Sequence, residues 1–181
     1  MSDLPSRVIP MSYMGVPFSQ DPSSSRAAIL GIPFDCGTHP TRIGARQGPD
    51  AIRMQSSLVR PYYPPDFDFN PLELLNLVDC GNVACVAGEV ESALRVIETA
   101  VSEICQTGAV PVTMGGDGLV SLPQLRALSK VHNDLVFVHI DAHTDTYPSS
   151  GSQTNDLYNT ATTFTRAAEE QLIDTTCSFH I

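Results

Sequence analysis

The sequence predicts an α/β domain: a parallel β-sheet with helices on both faces, of the three-layer kind. Two observations predict it. Short apolar runs such as Ala27-Ala-Ile-Leu-Gly-Ile32 and Leu135-Val-Phe-Val-His-Ile140 alternate with helical patterns along the chain. These runs are apolar at successive positions, so both faces of each strand must be covered, as they are in parallel sheets.

Residues 1–25 contain Pro5, Pro10, Pro17, Pro22 and three consecutive serines, and read as an extended arm lying on its own domain or on a neighbour. The α/β domain is expected over 26–181. Its first strand is predicted at 27–32, followed by a Gly- and Pro-rich loop and a helix from Pro49 to about Leu58. A Pro-rich connector leads to a strand near Leu74–Val78. The clearest helix spans 89–107, where Val90, Leu94, Ile97, Val101 and Ile104 recur at steps of three and four. Glu89 and Glu91 suit its positive end and Gly108 supplies its stop. Ala109–Met114 is the third strand, and a helix starts at Ser121 with Pro123 in its first turn. Strand 135–140, a helix near 160–172 and a last strand over 176–181 complete the series. That last strand stops at an uncapped apolar edge, so the domain is expected either to be truncated at its C-terminal end or to be covered by another chain.

At 181 residues the chain is the length of one domain, and its 20 acidic against 10 basic residues leave a formal charge of −10. Nine of the ten bases are arginine, and no basic stripe for nucleic acid can be assembled from so few. No apolar run is long enough to span a membrane, and Met1-Ser-Asp-Leu-Pro does not open a signal peptide. Five cysteines without a C-x-x-C fit a reducing cytoplasm, with Cys80 and Cys85 read as packing residues.

The chemistry is expected at the carboxyl ends of the strands. There stands Asp141-Ala-His-Thr-Asp145, and in an extended stretch Asp141, His143 and Asp145 share a face. Two carboxylates and an imidazole suit a first-row divalent metal. His139 has the same parity but lies deeper, and reads as a core histidine; His39 reads as a solvated loop residue. The third strand ends in Gly115-Gly-Asp-Gly118, which by itself is also compatible with a phosphate-cradling loop.

Asp141–Tyr147 resembles the D-A-H-x-D metal motif of the ureohydrolases, the arginase and agmatinase family, in its agmatinase-like form. The loop from Gly37, Thr38 and Arg42 through Gly44, Arg46, Gly48 and Pro49 to Arg53 resembles that family's segment from G-T through R-x-G-A-R-x-G-P to A-I-R, and Phe164–Asp174 its following helix. The resemblance implies a binuclear manganese or nickel centre, hydrolysis of guanidino or amidino C–N bonds, and trimers or hexamers. Three departures stand against a straightforward transfer. The family's G-G-D-H-S is Gly115-Gly-Asp-Gly-Leu119 here, so the ligand imidazole is lost at Gly118. Its H-G-T becomes Thr160-Ala-Thr162, so the acid–base imidazole is lost near Thr160. Its later S-x-D-x-D lies beyond residue 181.

Asp141, His143 and Asp145 are therefore expected to form a partial or vestigial site with little or no metal, and no catalytic residue is assigned. The resemblance extends to heteromeric members that pair an active with an inactive chain to hydrolyse guanidino or biguanide compounds, metformin among them. This chain is expected to be such a degenerate subunit beside an active paralogue. The alternative is a portion of a longer active hydrolase, and a remote one is a nucleotide-binding protein using the Gly115–Gly118 loop. Arg42, Arg46 and Arg53 are expected to tie the long loop to carboxylates.

Overall fold

The computed structural model describes residues 11–36, 41, 43–59, 69–86, 88–149 and 154–181. The strands are β1 (Ala27–Gly31), β2 (Val78–Asn82), β3 (Val110–Met114), β4 (Val138–His139) and β5 (Phe179–His180). The helices are α1 (Gly48–Ser56), α2 (Pro71–Leu74), α3 (Val90–Gln106), α4 (Ser121–Ser129), α5 (Thr154–Leu157) and α6 (Thr163–Glu169). All strand pairs are parallel: β1 lies between β2 and β3, and β4 pairs with β5 in a second, two-stranded sheet.

Strand β1 is buried at every position because its two faces meet different partners. Ala28 and Leu30 pack with Val90, Leu94, Ile97 and Val101 of α3 and with Leu122 and Ala127 of α4. Ala27 and Ile29 face the other way, onto Val16, Leu77 and Met114, with Tyr13, Leu72 and Leu75 around them. This two-sided covering makes an apolar strand stable in the middle of the sheet. Helix α3 carries its apolar positions at the predicted spacing and buries Val90, Ala93, Leu94, Ile97, Val101 and Ile104.

Four elements differ from expectation. The second strand runs over Val78–Asn82 rather than Leu74–Val78, because Asn70 accepts a hydrogen bond from Leu72 N (3.0 Å) and caps the one-turn helix α2. Asn76, at φ 45°, then turns the chain into the strand. The fourth and fifth strands are each two residues of a longer apolar run, since β4 and β5 have only each other as partners. A 3-10 turn over Thr160–Thr162 precedes α6, so the helix begins later than predicted.

Residues 11–25 lie along β2: Asp79 N donates to Pro17 O (2.9 Å), Ser19 N to Asp79 O (3.0 Å) and Tyr13 N to the Asp79 carboxylate (2.9 Å). The rest of the arm, residues 1–10, is outside the described residues. Val110 and Val112 of β3, Val138 of β4, Ile140, Phe179 and Ile181 are all exposed, so both sheets present bare apolar surface. No described helix is long and apolar enough to cross a membrane. No disulfide joins the five cysteines, and Cys80 and Cys85 pack against the main core.

Candidate functional site

The loop after β1 is held by carboxylates from two directions. Asp35 accepts from Arg46 Nε (2.8 Å) and Nη2 (2.5 Å), and from Gly44 N (3.1 Å) and Arg46 N (3.3 Å). The Arg46 guanidinium bound to it is the main reason its carboxyl falls to about 2, against the smaller opposing effect of burial. Arg53, on α1, donates to both Asp79 oxygens (2.7 and 2.8 Å), to Asn82 Oδ1 (2.5 Å) and to Gly81 O (3.0 Å). Burial pushes the Asp79 carboxyl up, but hydrogen bonds from Arg53, Tyr13 N and Gly81 N outweigh it and hold the group below its ordinary value. Arg46 and Arg53 thus do tie the loop and helix to carboxylates. Gly37, Thr38, His39 and Arg42 lie outside the described residues.

Gly115–Gly118 is spent on packing. Asp117 N donates to Phe34 O (3.0 Å), while the Asp117 carboxylate accepts from Cys36 N (2.7 Å) and Leu119 N (3.1 Å). A Cβ on Gly116 would stand 1.6 Å from Phe34 O, so only glycine allows the two segments to meet. With the Asp117 amide engaged internally and a carboxylate in the loop, the geometry disfavours the phosphate-cradle alternative.

The rim after β4 is not the extended stretch that parity suggested. Residues 141–143 bend, and Asp145 sits at φ 50° in the left-handed region. Asp141 turns back on its own loop: its Oδ1 accepts from His143 N (2.9 Å) and lies 3.3 Å from His143 Nδ1. That backbone bond chiefly lowers the Asp141 carboxyl, and both side chains stand in solvent, 44% and 69% exposed. Asp145, by contrast, is only 5% exposed. Burial is the main cause that raises its carboxyl, with the nearby Asp141 charge adding to it and His139, His143 and His180 opposing.

Phe164 N donates to Asp145 O (3.0 Å) and Tyr147 N to Ala161 O (2.9 Å), which fastens this rim to the turn before α6. The resulting cleft, about 370 Å³, is lined by His143, Asp145, Tyr147, Asn159, Thr160 and Ala161. Gly118 comes to the same point: a Cβ there would lie 3.2 Å from Asp145 Oδ2 and 2.6 Å from the Thr160 Cγ2 methyl. Gly118 is absent from the positive-φ glycines, so its backbone accepts a side chain; the Thr160 methyl occupies the space. The two positions singled out for lost imidazoles, 42 residues apart in sequence, are therefore in contact beside Asp145.

These residues do not fit a two-ion metal centre. Asp141 and His143 are engaged with each other, Asp145 is buried beside Gly118, and Gly118 and Thr160 offer no imidazole. Among the described residues, no three His, Cys, Asp or Glu side chains converge to hold a metal ion. A larger cavity of about 540 Å³, lined in part by Asp21, Cys80, Asn82 and Glu103, shares no residue with this rim.

His139 is also not the buried core histidine expected. It is half-buried at the sheet rim, with its Nδ1 3.1 Å from His180 Nδ1. His180 carried no signal of its own, because the contact depends on the pairing of β4 with β5.

A parallel sheet flanked by helices, with an Asp-x-His-x-Asp rim after a strand and a glycine-rich loop packed beside it, defines a ureohydrolase-like α/β protein. The arginase family model matches residues 25–181, and the chain belongs to the arginase family. It is 38% identical to a guanidinobutyrase from Pseudomonas aeruginosa over 90% of this chain and 50% of that protein. It is 37% identical to an agmatinase from Serratia proteamaculans over 95% of this chain and 53% of that protein. Among solved structures, proclavaminate amidino hydrolase from Streptomyces clavuligerus superposes with a TM-score of 0.87 at 31% identity, covering 97% of this chain and 56% of that one. A formiminoglutamase variant from Trypanosoma cruzi, solved with Mn2+, gives 0.72 at 25% identity over 90% and 54% of the two chains. The chain spans about half the length of the curated relatives it matches.

Proposed function

We propose that this chain is a catalytically degenerate subunit of a cytoplasmic amidinohydrolase assembly that cleaves C–N bonds of guanidino or biguanide compounds. In this reading it contributes fold and assembly surfaces, and an active paralogue holds the manganese or nickel. Asp141, His143 and Asp145 are the remnant of a metal rim. One observation carries the reading: Gly118 and Thr160 meet beside Asp145 with no imidazole at either position, and a side chain at 118 would run into the Thr160 methyl.

The magnitudes favour inactivity of the isolated chain. A binuclear hydrolase uses both ions, to generate a nucleophile and to share developing charge. General acid–base help contributes about 10²–10⁴-fold, and no imidazole stands at Thr160 to supply it. Even perturbing groups behind metal ligands costs about 10–100-fold.

The test is to express the chain alone and with candidate paralogues, and to assay urea or amine release from agmatine, 4-guanidinobutyrate and metformin. The chain alone should give no turnover, and a paralogue should co-purify with it and turn over. Robust turnover by the isolated chain overturns the proposal. A second reading, part of a longer active hydrolase, is favoured by the half-length coverage of the relatives. It leaves Gly118 and Thr160 without a role, and the mass of the natural polypeptide separates the two.

A further inference from the structure

We propose that His139 and His180 form a two-imidazole chelate for a borderline transition ion, with Cu2+ as the best-suited probe, built from donors other than Asp141, His143 and Asp145. The strands put the two histidines there. In the parallel β4–β5 pair Val138 is opposite Phe179 and His139 opposite His180, so both imidazoles stand on one face in register. Their Nδ1 atoms are 3.1 Å apart.

That separation suits one ion between them. At metal–nitrogen distances of about 2.0–2.1 Å, two ligand nitrogens lie about 2.9 Å apart at a right angle and about 3.3 Å apart at the tetrahedral angle. The observed spacing falls between these limits. Imidazole pairs with water completing the sphere are ligand sets that Cu2+ and Ni2+ accept in tetragonal geometry.

The rings are also held in place. Phe164 is buried, with its centroid 4.6 Å from that of His139 and 5.4 Å from that of His180. Phe137 stacks on Phe164 at 4.3 Å and meets the edge of His180 at 5.0 Å. Two phenyl rings thus pack against the two donor rings, which removes part of the ordering cost of chelation. His180 is exposed, which leaves an entry path, and Asp141 and Asp145 close by make the field favourable to a cation.

This inference does not depend on the degenerate-subunit reading, and its test measures binding rather than turnover. Tag-free chain is titrated with Cu2+ alone, followed by calorimetry and by electron paramagnetic resonance. One Cu2+ per chain with hyperfine structure from two ring nitrogens is expected. His180→Phe, which keeps a ring in the aromatic cluster, should weaken binding by about tenfold or more, and His139→Phe likewise. His143→Ala should change affinity by less than about twofold, since it belongs to the other rim. Circular dichroism checks the fold of each variant, and the spectrum of the parent chain stands as a test by itself. A copper spectrum without two nitrogens, unchanged affinity in His180→Phe, or loss of binding in His143→Ala overturns the proposal.

Discussion

Filling position 118 should change the sign of its effect according to what stands at position 160. In the parent chain, the new Cβ of Gly118→Ala lies 2.6 Å from Thr160 Cγ2, well inside contact distance. Thr160 has a branched, stiff side chain, so relief requires a rotamer change or a backbone shift. Such overpacking costs about 1–3 kcal/mol. Against it stands a gain of about 0.4–1 kcal/mol from restricting the unfolded chain, available because the backbone at Gly118 is compatible with a side chain. The net loss is roughly 0–2.6 kcal/mol, or up to about 10 °C in Tm for a chain of this size. In a Thr160→Ala background the offending methyl is gone. The remaining 3.2 Å contact is with Asp145 Oδ2, the end of a side chain that yields by a few tenths of an ångström. There, Gly118→Ala should be neutral or stabilising by up to about 1 kcal/mol. Urea unfolding of the four proteins of the cycle measures this coupling, expected within about 0.5–3 kcal/mol. Additive effects would refute the steric reasoning. Gly118→His meets the same methyl, so rebuilding a ligand there requires both changes.

Other expectations follow from the same packing. Arg53→Met leaves the Asp79 carboxylate, 1% exposed, without its bidentate partner, and should destabilise the chain by about 3–5 kcal/mol in urea unfolding. Adding Asp79→Asn should recover part of that loss. The Asp35 carboxyl is lowered from 3.8 to about 2 in the fold, so its contribution is fully present above the unfolded value and disappears as pH falls from 3.8 through about 2. A urea midpoint measured between these limits should fall with pH, and Asp35→Asn should flatten that slope. Gly116→Ala forces a Cβ to within 1.6 Å of Phe34 O, and should abolish soluble expression or cost several times what Gly115→Ala costs, where the tightest contact is 3.2 Å to the Val120 side chain.

Much of the architecture was readable from periodicity. Helix α3 and strand β1 stand within a residue of their predicted ends, because apolar spacing and a two-sided core leave little choice. Strand β2 was misplaced because its residues are polar: Asp79, Gly81 and Asn82 are in the sheet and hydrogen-bonded to Arg53, a partner 26 residues before Asp79. An apolar-run criterion finds Leu74–Val78 instead. At the rim, sequence marked Asp141, His143, Asp145, Gly118 and Thr160. It could not show that Asp145 takes a positive φ and is buried, since that goes with the tie from Phe164 N to its carbonyl. Nor could it show that Gly118 and Thr160 touch, or that His139 meets His180, because each contact depends on how distant segments dock.

The central claim is that the described residues around the Asp141–Asp145 rim do not form a donor set for two ions. Equilibrium dialysis of the purified 181-residue chain against Mn2+, with bound metal counted per polypeptide, tests it most directly. The account predicts fewer than one weakly held ion per chain, and occupancy that does not rise to two at saturation. Two tightly bound manganese ions per chain would contradict it.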